Sequence, residues 1–346
     1  MKYSIVLSAS IVLSSCVGTG IVSGLKVETV CADRVVSMER DTSFHCCFDE
    51  IVHCNSIQIV NDTIIVFQEH PHEGDPYHFK AYSLNTFSYL GSLVNVGRGP
   101  GEMITPHIAK SNIYAEYLNL YDNSLSQAYL IDVEKSLKSQ RPEIAKVYDL
   151  PYGAVEWMPM RDGGQFVLQC ESDEFVFCAL DTDRDNSKGF RLYEGLNADK
   201  YSIFLSSFLV DNAGTSYAEI LVFLPQINII DPSAGIVRSL AVNGAYRNWK
   251  TIINRRFDMN VVQYYTGAVS SEDFIFAAYN GYPVGELNSE TRGTSIHVFD
   301  WKGNFLIDVS VSENIGAMAY DPNSKYLYCV DNIGGRVIRY DMSLVV

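Results

Sequence analysis

The chain has 346 residues, of which 47% are hydrophobic and 19% are charged, and its net charge is −15. This composition supplies ample material for a hydrophobic core, which excludes a long disordered protein. The acidic balance disfavours nucleic acid and anionic lipid headgroups as partners, and it also favours solubility in an exported protein.

The N-terminus has the pattern of a bacterial lipoprotein signal. An apolar stretch over Ser4–Leu13 is too short to cross a membrane. It ends in Leu-Ser-Ser-Cys, with Cys16 at the position that receives diacylglycerol in a lipobox. We therefore predict a signal peptide over residues 1–15, lipidation of Cys16, a tether over residues 16–29 and one folded domain over residues 30–346. The alternative is an ordinary secretory signal that contains an incidental cysteine.

A lipid on Cys16 places the protein in the cell envelope, since each buried methylene of an acyl chain contributes about 0.8 kcal/mol. No acidic cluster follows Cys16. Acidic clusters at that place resemble the surface-export signals of lipoproteins from gut commensals. We therefore expect the periplasmic face of the outer membrane rather than the cell surface.

A short apolar run that usually ends in Asp recurs six times along the chain. The final positions of successive copies are separated by 48, 49, 50, 69 and 41 residues. A repeat of roughly 40–50 residues built from strands is typical of a β-propeller with about four strands in each blade. The six copies therefore predict an all-β fold, a six-bladed β-propeller with four-stranded antiparallel blades. The copies are Ala81–Leu84, Tyr129–Asp132, Cys178–Asp181, Asn228–Asp231, His297–Asp300 and Ile338–Asp341.

Each copy is preceded by a polar turn that leads into an apolar strand. The turn Asn61-Asp62 before Ile64–Phe67 is an example, because Asn and Asp tolerate turn geometry and β-branched residues suit buried strands. The last copy ends at Asp341, which leaves only five residues for a fourth strand in the last blade. We therefore predict that an N-terminal strand between Val30 and Phe48 closes the ring, because an open sheet edge promotes aggregation.

Two groups of side chains have the chemistry of metal ligands. The first is a loop with His70, His72, Glu73, Asp75 and His78, whose prolines and glycine are typical of a solvated loop. The second is a set of carboxylates in the turns, which we interpret as turn chemistry. We expect no metal site and no cofactor, with calcium in the central channel as the alternative. The turn carboxylates are Asp62, Asp122, Asp162, Asp211, Asp273 and Asp321.

The eight cysteines show no C-x-x-C spacing, which disfavours a zinc site. If Cys16 is lipidated, seven of the eight cysteines remain, and an odd number cannot all pair in disulfides. We expect buried free thiols, with one structural disulfide as the alternative.

The run Gly97-Arg98-Gly99-Pro100-Gly101-Glu102 is the sharpest motif of the chain. With it and with Ile296–Asn304, which reads I-H-V-F-D-W-K-G-N, the chain resembles the TolB-like six-bladed propeller proteins. The closing strand that ends in Tyr340-Asp341 fits the same resemblance, which covers about residues 40–343. Proteins of this kind are abundant as lipoproteins of Gram-negative gut commensals. The resemblance implies the fold and a lipoprotein, and it implies no particular reaction.

Two interpretations of the glycine-rich run stay open. In one it is an inter-blade turn, in which Arg98 pairs with Glu102 or caps backbone carbonyls. In the other, Arg98 lies at the mouth of the channel and offers its planar fork to a carboxylate or a sugar acid. The run is not a phosphate-binding loop, because it lacks the Lys-Ser/Thr pair.

Two insertions account for the long step of 69 residues. The segment Tyr246–Asn260 interleaves basic residues with apolar ones at helical spacing, and Gly281–Gly293 is a polar loop. Long loops on a propeller face often carry binding residues. We predict that this face meets an acidic partner, unless the helix only seals the ring. The candidate binding residues are Arg247, Trp249, Arg255, Arg256 and Tyr282, together with Arg98 and Glu102.

Two classes of function follow. The first is a lipid-anchored cell-envelope propeller that acts as a binding or scaffold protein for an envelope protein, a glycan or a peptide. The alternative is a hydrolase or lyase centred on the channel, with or without a metal. The sequence shows no nucleophile elbow and no H-E-x-x-H helix, so no catalytic residue is assigned. We therefore favour binding.

Overall fold

A computed structural model describes residues 18–19, 26–44, 54–161, 163–171, 174–180, 188–190, 205–231, 236–242, 259–287 and 292–346. In these ranges the chain is built from 26 strands, with one α-helix and two short 3-10 helices. The described helices include none that is long and apolar enough to span a bilayer.

The strands fall into an N-terminal group and six consecutive sheets. The N-terminal strands are β1 (Gly18–Thr19), β2 (Lys26–Val30) and β3 (Arg34–Ser37). Sheet 1 contains β4 (Cys54–Val60), β5 (Ile64–Glu69), β6 (Tyr77–Ser83) and β7 (Tyr89–Asn95). Sheet 2 contains β8 (Pro106–Ile108), β9 (Leu118–Asp122), β10 (Gln127–Ile131) and β11 (Ile144–Asp149). Sheet 3 contains β12 (Ala154–Pro159), β13 (Gln165–Glu171), β14 (Glu174–Leu180) and β15 (Lys188–Phe190).

The remaining sheets complete the series. Sheet 4 contains β16 (Ser206–Val210), β17 (Tyr217–Leu221), β18 (Gln226–Asp231) and β19 (Ile236–Val242). Sheet 5 contains β20 (Val262–Ser270), β21 (Phe274–Pro283), β22 (Thr294–Asp300) and β23 (Phe305–Val311). Sheet 6 contains β24 (Ile315–Asp321), β25 (Tyr326–Asp331) and β26 (Arg336–Asp341). Helix α1 (Val133–Ser139) lies between β10 and β11, and the 3-10 helices are Val284–Glu286 and Met342–Leu344.

The sequence repeat corresponds to the strands of each sheet. Every copy of the apolar run falls on the third strand of a sheet, and every turn-and-strand segment leads into the second strand. Neighbouring strands within each series are antiparallel. The first strands contact one another around the centre, so that β24 touches both β20 and β4. The chain is therefore an all-β propeller with antiparallel blades, as predicted.

Hydrophobic packing between sheets forms the core. Strand β5 is buried along its whole length, because its faces meet both neighbouring sheets. Aromatic side chains fill much of this space, and the rings of Phe166 and Tyr217 stack at 4.0 Å between sheets 3 and 4. The abundance of Tyr and Phe in the sequence thus reflects packing between blades.

The predicted closure by an N-terminal strand is wrong for the described strands. Strand β3 pairs in parallel with β23 at the outer edge of sheet 5, and β2 pairs in parallel with β19 at the outer edge of sheet 4. The ring closes instead by side-chain packing, since Ile57 and Phe67 of sheet 1 share a core cluster with Tyr328 of sheet 6. The N-terminal strands thus extend two outer edges rather than completing the last sheet.

The predicted number of six four-stranded blades is also wrong. Five sheets have four or more strands, and sheet 6 has three in the described chain. Its outer edge is covered in part by the N-terminal segment, where the amide of Asp41 donates to the carbonyl of Arg339 at 2.9 Å. The carboxylate of Asp41 also accepts from the guanidinium of Arg339 at 2.8 Å. A backbone hydrogen bond and a side-chain ion pair therefore shield part of an edge that the sequence pattern assigned to a strand.

Candidate functional site: a cavity at the mouth of the channel

The main candidate site is a cavity of about 530 Å³ at the end of the ring where the first strands begin. We call it the mouth cavity. The starts of β4, β8, β12 and β16 converge on it, so four sheets contribute to its wall. Residues from different repeats thus meet at one place, which is where propellers and other rings commonly bind ligands. Its polar lining includes Asn55, Ser56, His70, Thr105, His107, Lys110, Tyr121, Glu156, Ser206 and Ser207.

Glu156 is the first notable group in this wall. It lies on β12, and its Oε2 accepts a hydrogen bond of 2.5 Å from the hydroxyl of Tyr121 on β9. Burial raises the pKa of Glu156 to about 7, although the hydrogen bond from Tyr121 and the charge of Lys110 both favour the ionised form. The carboxyl group therefore gains or loses a proton near neutral pH.

Lys110 is the second notable group. It follows β8 and lines both the mouth cavity and a second cavity of about 200 Å³, which is bounded by the far ends of β4, β20 and β24. Its Nζ lies 3.5 Å from Oγ of Ser207. Burial lowers the pKa of Lys110, and Glu156 acts in the opposite direction. A lysine thus stands where the two cavities meet.

Several polar groups of the wall are held by the fold itself. The side-chain amide of Gln68 donates through Nε2 to the backbone carbonyl of Pro106 at 2.7 Å. Its Oε1 accepts from the backbone N–H of Ile108 at 3.3 Å, so the side chain joins sheets 1 and 2. By contrast, Oγ of Ser56 is buried and has no hydrogen-bond partner. A buried hydroxyl without a partner costs about 1–3 kcal/mol, which is the kind of cost that a bound ligand or water removes.

An ion pair connects the histidine-containing loop to the strands on either side of it. The ammonium of Lys80 lies 2.9 Å from Glu69 and 3.1 Å from Asp75. His78 is buried, and its Nε2 lies 3.2 Å from the carbonyl of Met103. Among the described residues, no group of three or more His, Cys, Asp or Glu has the arrangement of a metal site.

The turn carboxylates that the structure describes mostly bind their own turns. Asp122 is fully buried, and its two oxygens accept from the amides of Ile104, Ser124 and Leu125 at 2.6–3.1 Å. Asp321 and Asp211 make the same kind of local bond. The interpretation as turn chemistry therefore fits these three residues, while Asp162 lies outside the described residues.

The glycine-rich run forms a turn between β7 and β8. The amide of Gly99 donates to Oε2 of Glu102 at 2.8 Å, and a Cβ at Gly97 would lie only 1.9 Å from that oxygen. Glycine is thus required because the carboxylate of Glu102 lies against the backbone. Arg98 is exposed and is not part of the mouth-cavity wall. The turn interpretation therefore accounts for Glu102, and ligand binding by Arg98 stays a prediction.

The predicted partner face is described only in part. Cys16, Arg247, Trp249, Arg255 and Arg256 lie outside the described residues. Tyr282 is half-buried, and the guanidinium of Arg292 lies 4.5 Å from its ring centre. The segment predicted as the loop Gly281–Gly293 begins as part of β21, because Tyr282 and Pro283 pair with β20. Its first residues are therefore strand rather than loop.

The sequence analysis singled out none of Lys110, Tyr121 and Glu156 as a site residue. Trp157, which follows Glu156, is buried and its indole N–H donates to Gln165 at 2.9 Å, so it packs within the blade. Three cysteines are described as free thiols: Cys329 is buried, Cys54 is partly buried and Cys31 is exposed. Free thiols were expected, but the exposure of Cys31 was not.

The chain has no match among protein-family models and none among curated proteins. Solved structures show the similarity of fold. A member of the DUF4221 family from Bacteroides vulgatus is 11% identical with a TM-score of 0.54, over 84% of this chain and 92% of that one. Hydrazine synthase from Kuenenia stuttgartiensis is 14% identical with a TM-score of 0.47, over 88% and 81%. A Bacteroides fragilis protein that is thought to be exported is 12% identical with a TM-score of 0.42, over 90% and 81%. At these identities the likeness to the first structure shows the fold alone.

Proposed function

We propose that this chain is a lipid-anchored cell-envelope propeller, related to the TolB-like propeller lipoproteins, that binds a small polar ligand in the mouth cavity. The observation that carries the proposal is the convergence of four sheets on one cavity of about 530 Å³ with a mixed polar and apolar wall. Binding pockets commonly have this combination, in which a few polar groups orient the ligand and apolar groups bury it.

The ligand is expected to use polar groups that the fold leaves available. Lys110 lines the cavity, and its ammonium makes one long contact, to Oγ of Ser207 at 3.5 Å. Groups that serve only folding are normally satisfied, as Gln68 is by two backbone bonds. The mouth cavity therefore contains hydrogen-bonding capacity that folding does not use.

A thermal-shift screen of glycans and peptides against the purified protein tests this proposal. The variant Ser207→Trp places a large ring in the mouth cavity, whereas Ser88→Trp places the same ring on an exposed turn between β6 and β7. A ligand of the mouth cavity raises the melting temperature of the wild type and of Ser88→Trp, but not that of Ser207→Trp. Equal shifts of the melting temperature in both variants would show that the ligand binds outside the mouth cavity.

The location rests on the lipobox at Cys16 and on the lack of an acidic cluster after it. We propose the periplasmic face of the outer membrane. The variant Cys16→Ala should move the protein from the membrane fraction to the soluble fraction, and the wild type should carry an acylated N-terminal cysteine by mass spectrometry. Retention of Cys16→Ala in membranes would contradict the anchor.

A second candidate, a hydrolase or lyase, is favoured by one observation. Glu156 has a pKa of about 7 inside a cavity, which suits a group that both donates and accepts protons at neutral pH. If the ligand found by screening is converted, Glu156→Gln should abolish turnover and retain binding. If chromatography shows the ligand unchanged after long incubation with wild type, the binding function stands and the enzymatic one fails.

We also propose that an acidic partner meets the face that carries Arg247, Trp249, Arg255, Arg256 and Tyr282. The support is that β21 ends at Pro283 beside the start of β20, on the same side of the ring as the mouth cavity. The connection that contains Arg98 and Glu102 reaches the start of β8 on that side too. A partner on this face would lie next to the bound ligand.

A further inference from the structure

We propose that the mouth cavity selects ligands that carry a carboxylate, such as a sugar acid, and that Lys110 is the residue that binds this group. This inference rests on the proposed binding function and adds the chemical class of the ligand. It concerns a position inside the channel, whereas the sequence pattern pointed to Arg98.

The first argument is the environment of Lys110. No carboxylate oxygen of the described residues lies within 4.0 Å of its ammonium, and its recorded polar contact is Ser207 at 3.5 Å. Lys80, another lysine in a protected position, has two carboxylates at 2.9 and 3.1 Å. A half-buried ammonium without an ion-pair partner loses solvation that an anion would replace. Lys80 thus has its anions in contact, whereas the described carboxylate that acts on Lys110, Glu156, does so from beyond 4.0 Å.

The second argument is the place of Lys110 along the channel. It lines both the mouth cavity and the second cavity, so it stands at the inner end of the space that opens at the mouth. A ligand that entered from the mouth would place its carboxylate at Lys110. The rest of the ligand would then lie beside Ser206 and Ser207 and the apolar residues Met158 and Phe208, which line the cavity. Hydroxyls beside apolar surface suit a sugar ring.

The third argument concerns Glu156, which a carboxylate ligand must approach. Near neutral pH the group is partly protonated, because burial raises its pKa to about 7. The protonated form donates a hydrogen bond to a carboxylate, whereas the ionised form repels it. Affinity should therefore fall as the pH rises through about 7. Among the described residues, the other charged or titratable groups that line this cavity are Glu69, His70, His78, His107 and Tyr121, and Glu69 is paired with Lys80.

The competing interpretation is that Lys110 and Glu156 only balance each other's charge and bind nothing. Isothermal titration calorimetry with four small probes separates the two interpretations. Galacturonate and galactose differ in the carboxylate, and so do N-acetylalanine and N-acetylalaninamide. The first pair represents a sugar source of the carboxylate and the second a peptide source.

We expect at least one acid to bind, and its neutral counterpart to bind at least about 10-fold more weakly. Lys110→Met should weaken binding of the acid by about 10- to 100-fold, while Lys138→Met, an exposed lysine on α1, should leave it unchanged. Glu156→Gln should keep the acid bound and remove the loss of affinity between pH 6 and pH 8. If Lys110→Met fails to fold, Lys110→Gln and the pH dependence of Glu156→Gln carry the test.

Two outcomes would overturn the inference. The first is equal binding of the acid and its neutral counterpart, or binding of the acid that Lys110→Met does not change. The second is a mouth-cavity ligand that Ser207→Trp blocks although neither acid binds, in which case the proposed binding function survives and the carboxylate preference does not. If Ser207→Trp blocks no ligand at all, the binding function itself fails.

Discussion

The hydroxyl of Tyr121 donates a hydrogen bond of 2.5 Å to Oε2 of Glu156. Tyr121 belongs to β9 of sheet 2 and Glu156 to β12 of sheet 3, so the bond connects two blades across the wall of the mouth cavity. It holds the carboxyl group in one orientation and favours its ionised form, against the effect of burial.

We therefore predict that Tyr121→Phe raises the pKa of Glu156 above about 7, because the variant loses the bond that stabilises the carboxylate. A pH titration of the glutamate carboxyl carbons by NMR measures this value, with Glu156→Gln used to assign the signal. Tyr152→Phe removes a hydroxyl from a residue that is 94% exposed and should leave the titration unchanged. An unchanged pKa in Tyr121→Phe would show that the bond does not form in solution.

His297 should make the protein less stable in mild acid. It is buried among aromatic rings on β22, its Nδ1 lies 3.2 Å from the hydroxyl of Tyr265, and burial lowers its pKa to about 3. The unfolded chain binds a proton at this residue near pH 6.5, whereas the folded chain does not until about pH 3. The free energy of unfolding therefore falls as the pH drops below 6.5, by about 2 kcal/mol between pH 7 and pH 5.

Urea denaturation of His297→Gln at pH 7 and pH 5 checks this prediction. The amide keeps a polar partner for Tyr265 and does not titrate, so the difference between the two pH values should shrink by about 2 kcal/mol. His72→Gln, in the exposed loop, should retain the difference seen in the wild type. An equal difference in His297→Gln and wild type would mean that His297 is protonated in the folded protein.

Removing the ammonium group of Lys80 should lower the free energy of unfolding substantially. Lys80→Met leaves the carboxylates of Glu69 and Asp75 together without their cation, and Glu69 is buried. Removing one partner from a buried ion pair typically costs about 3–5 kcal/mol. Lys138→Met, whose side chain is 78% exposed and 3.8 Å from Glu134, should change the unfolding free energy by less than about 0.5 kcal/mol. Similar values for the two variants in urea denaturation would contradict the buried pair.

The predicted partner face is tested by Arg255→Ala combined with Arg256→Ala. If these residues attract an acidic partner, the double variant loses binding in a pull-down from envelope extracts and keeps its melting temperature. If they only stabilise the ring, the melting temperature falls and binding is intact. The exposed pair Lys135 and Lys138, replaced in the same way, controls for the loss of two positive charges.

The repeat was readable from the sequence because each copy follows a local rule. Ile229 and Phe299 belong to third strands, and the runs that contain them end in Asp at the last residue of the strand. Buried strands alternate with turns of Asn, Asp and Gly, and this pattern depends only on residues that are adjacent in sequence. A single sequence is therefore enough to reveal it.

The pairing of the N-terminal strands and the composition of the site were not readable in this way. Strand β3 pairs with β23 instead of β26, and hydropathy alone does not distinguish one sheet edge from another. Lys110 and Glu156 approach from different repeats, and neither belongs to a motif. Such a site exists only after the ring has formed, so its residues are not adjacent in any sequence pattern.

The parallel pairing of β2 with β19 and of β3 with β23 also bears on the order of folding. Glu28 and Arg238 bond across 210 positions of sequence, and Asp41 and Arg339 across 298. Contacts between such distant segments form slowly, since loop closure must precede them. The N-terminal strands therefore dock late, and until they do the outer edges of sheets 4 and 5 stay open to other chains.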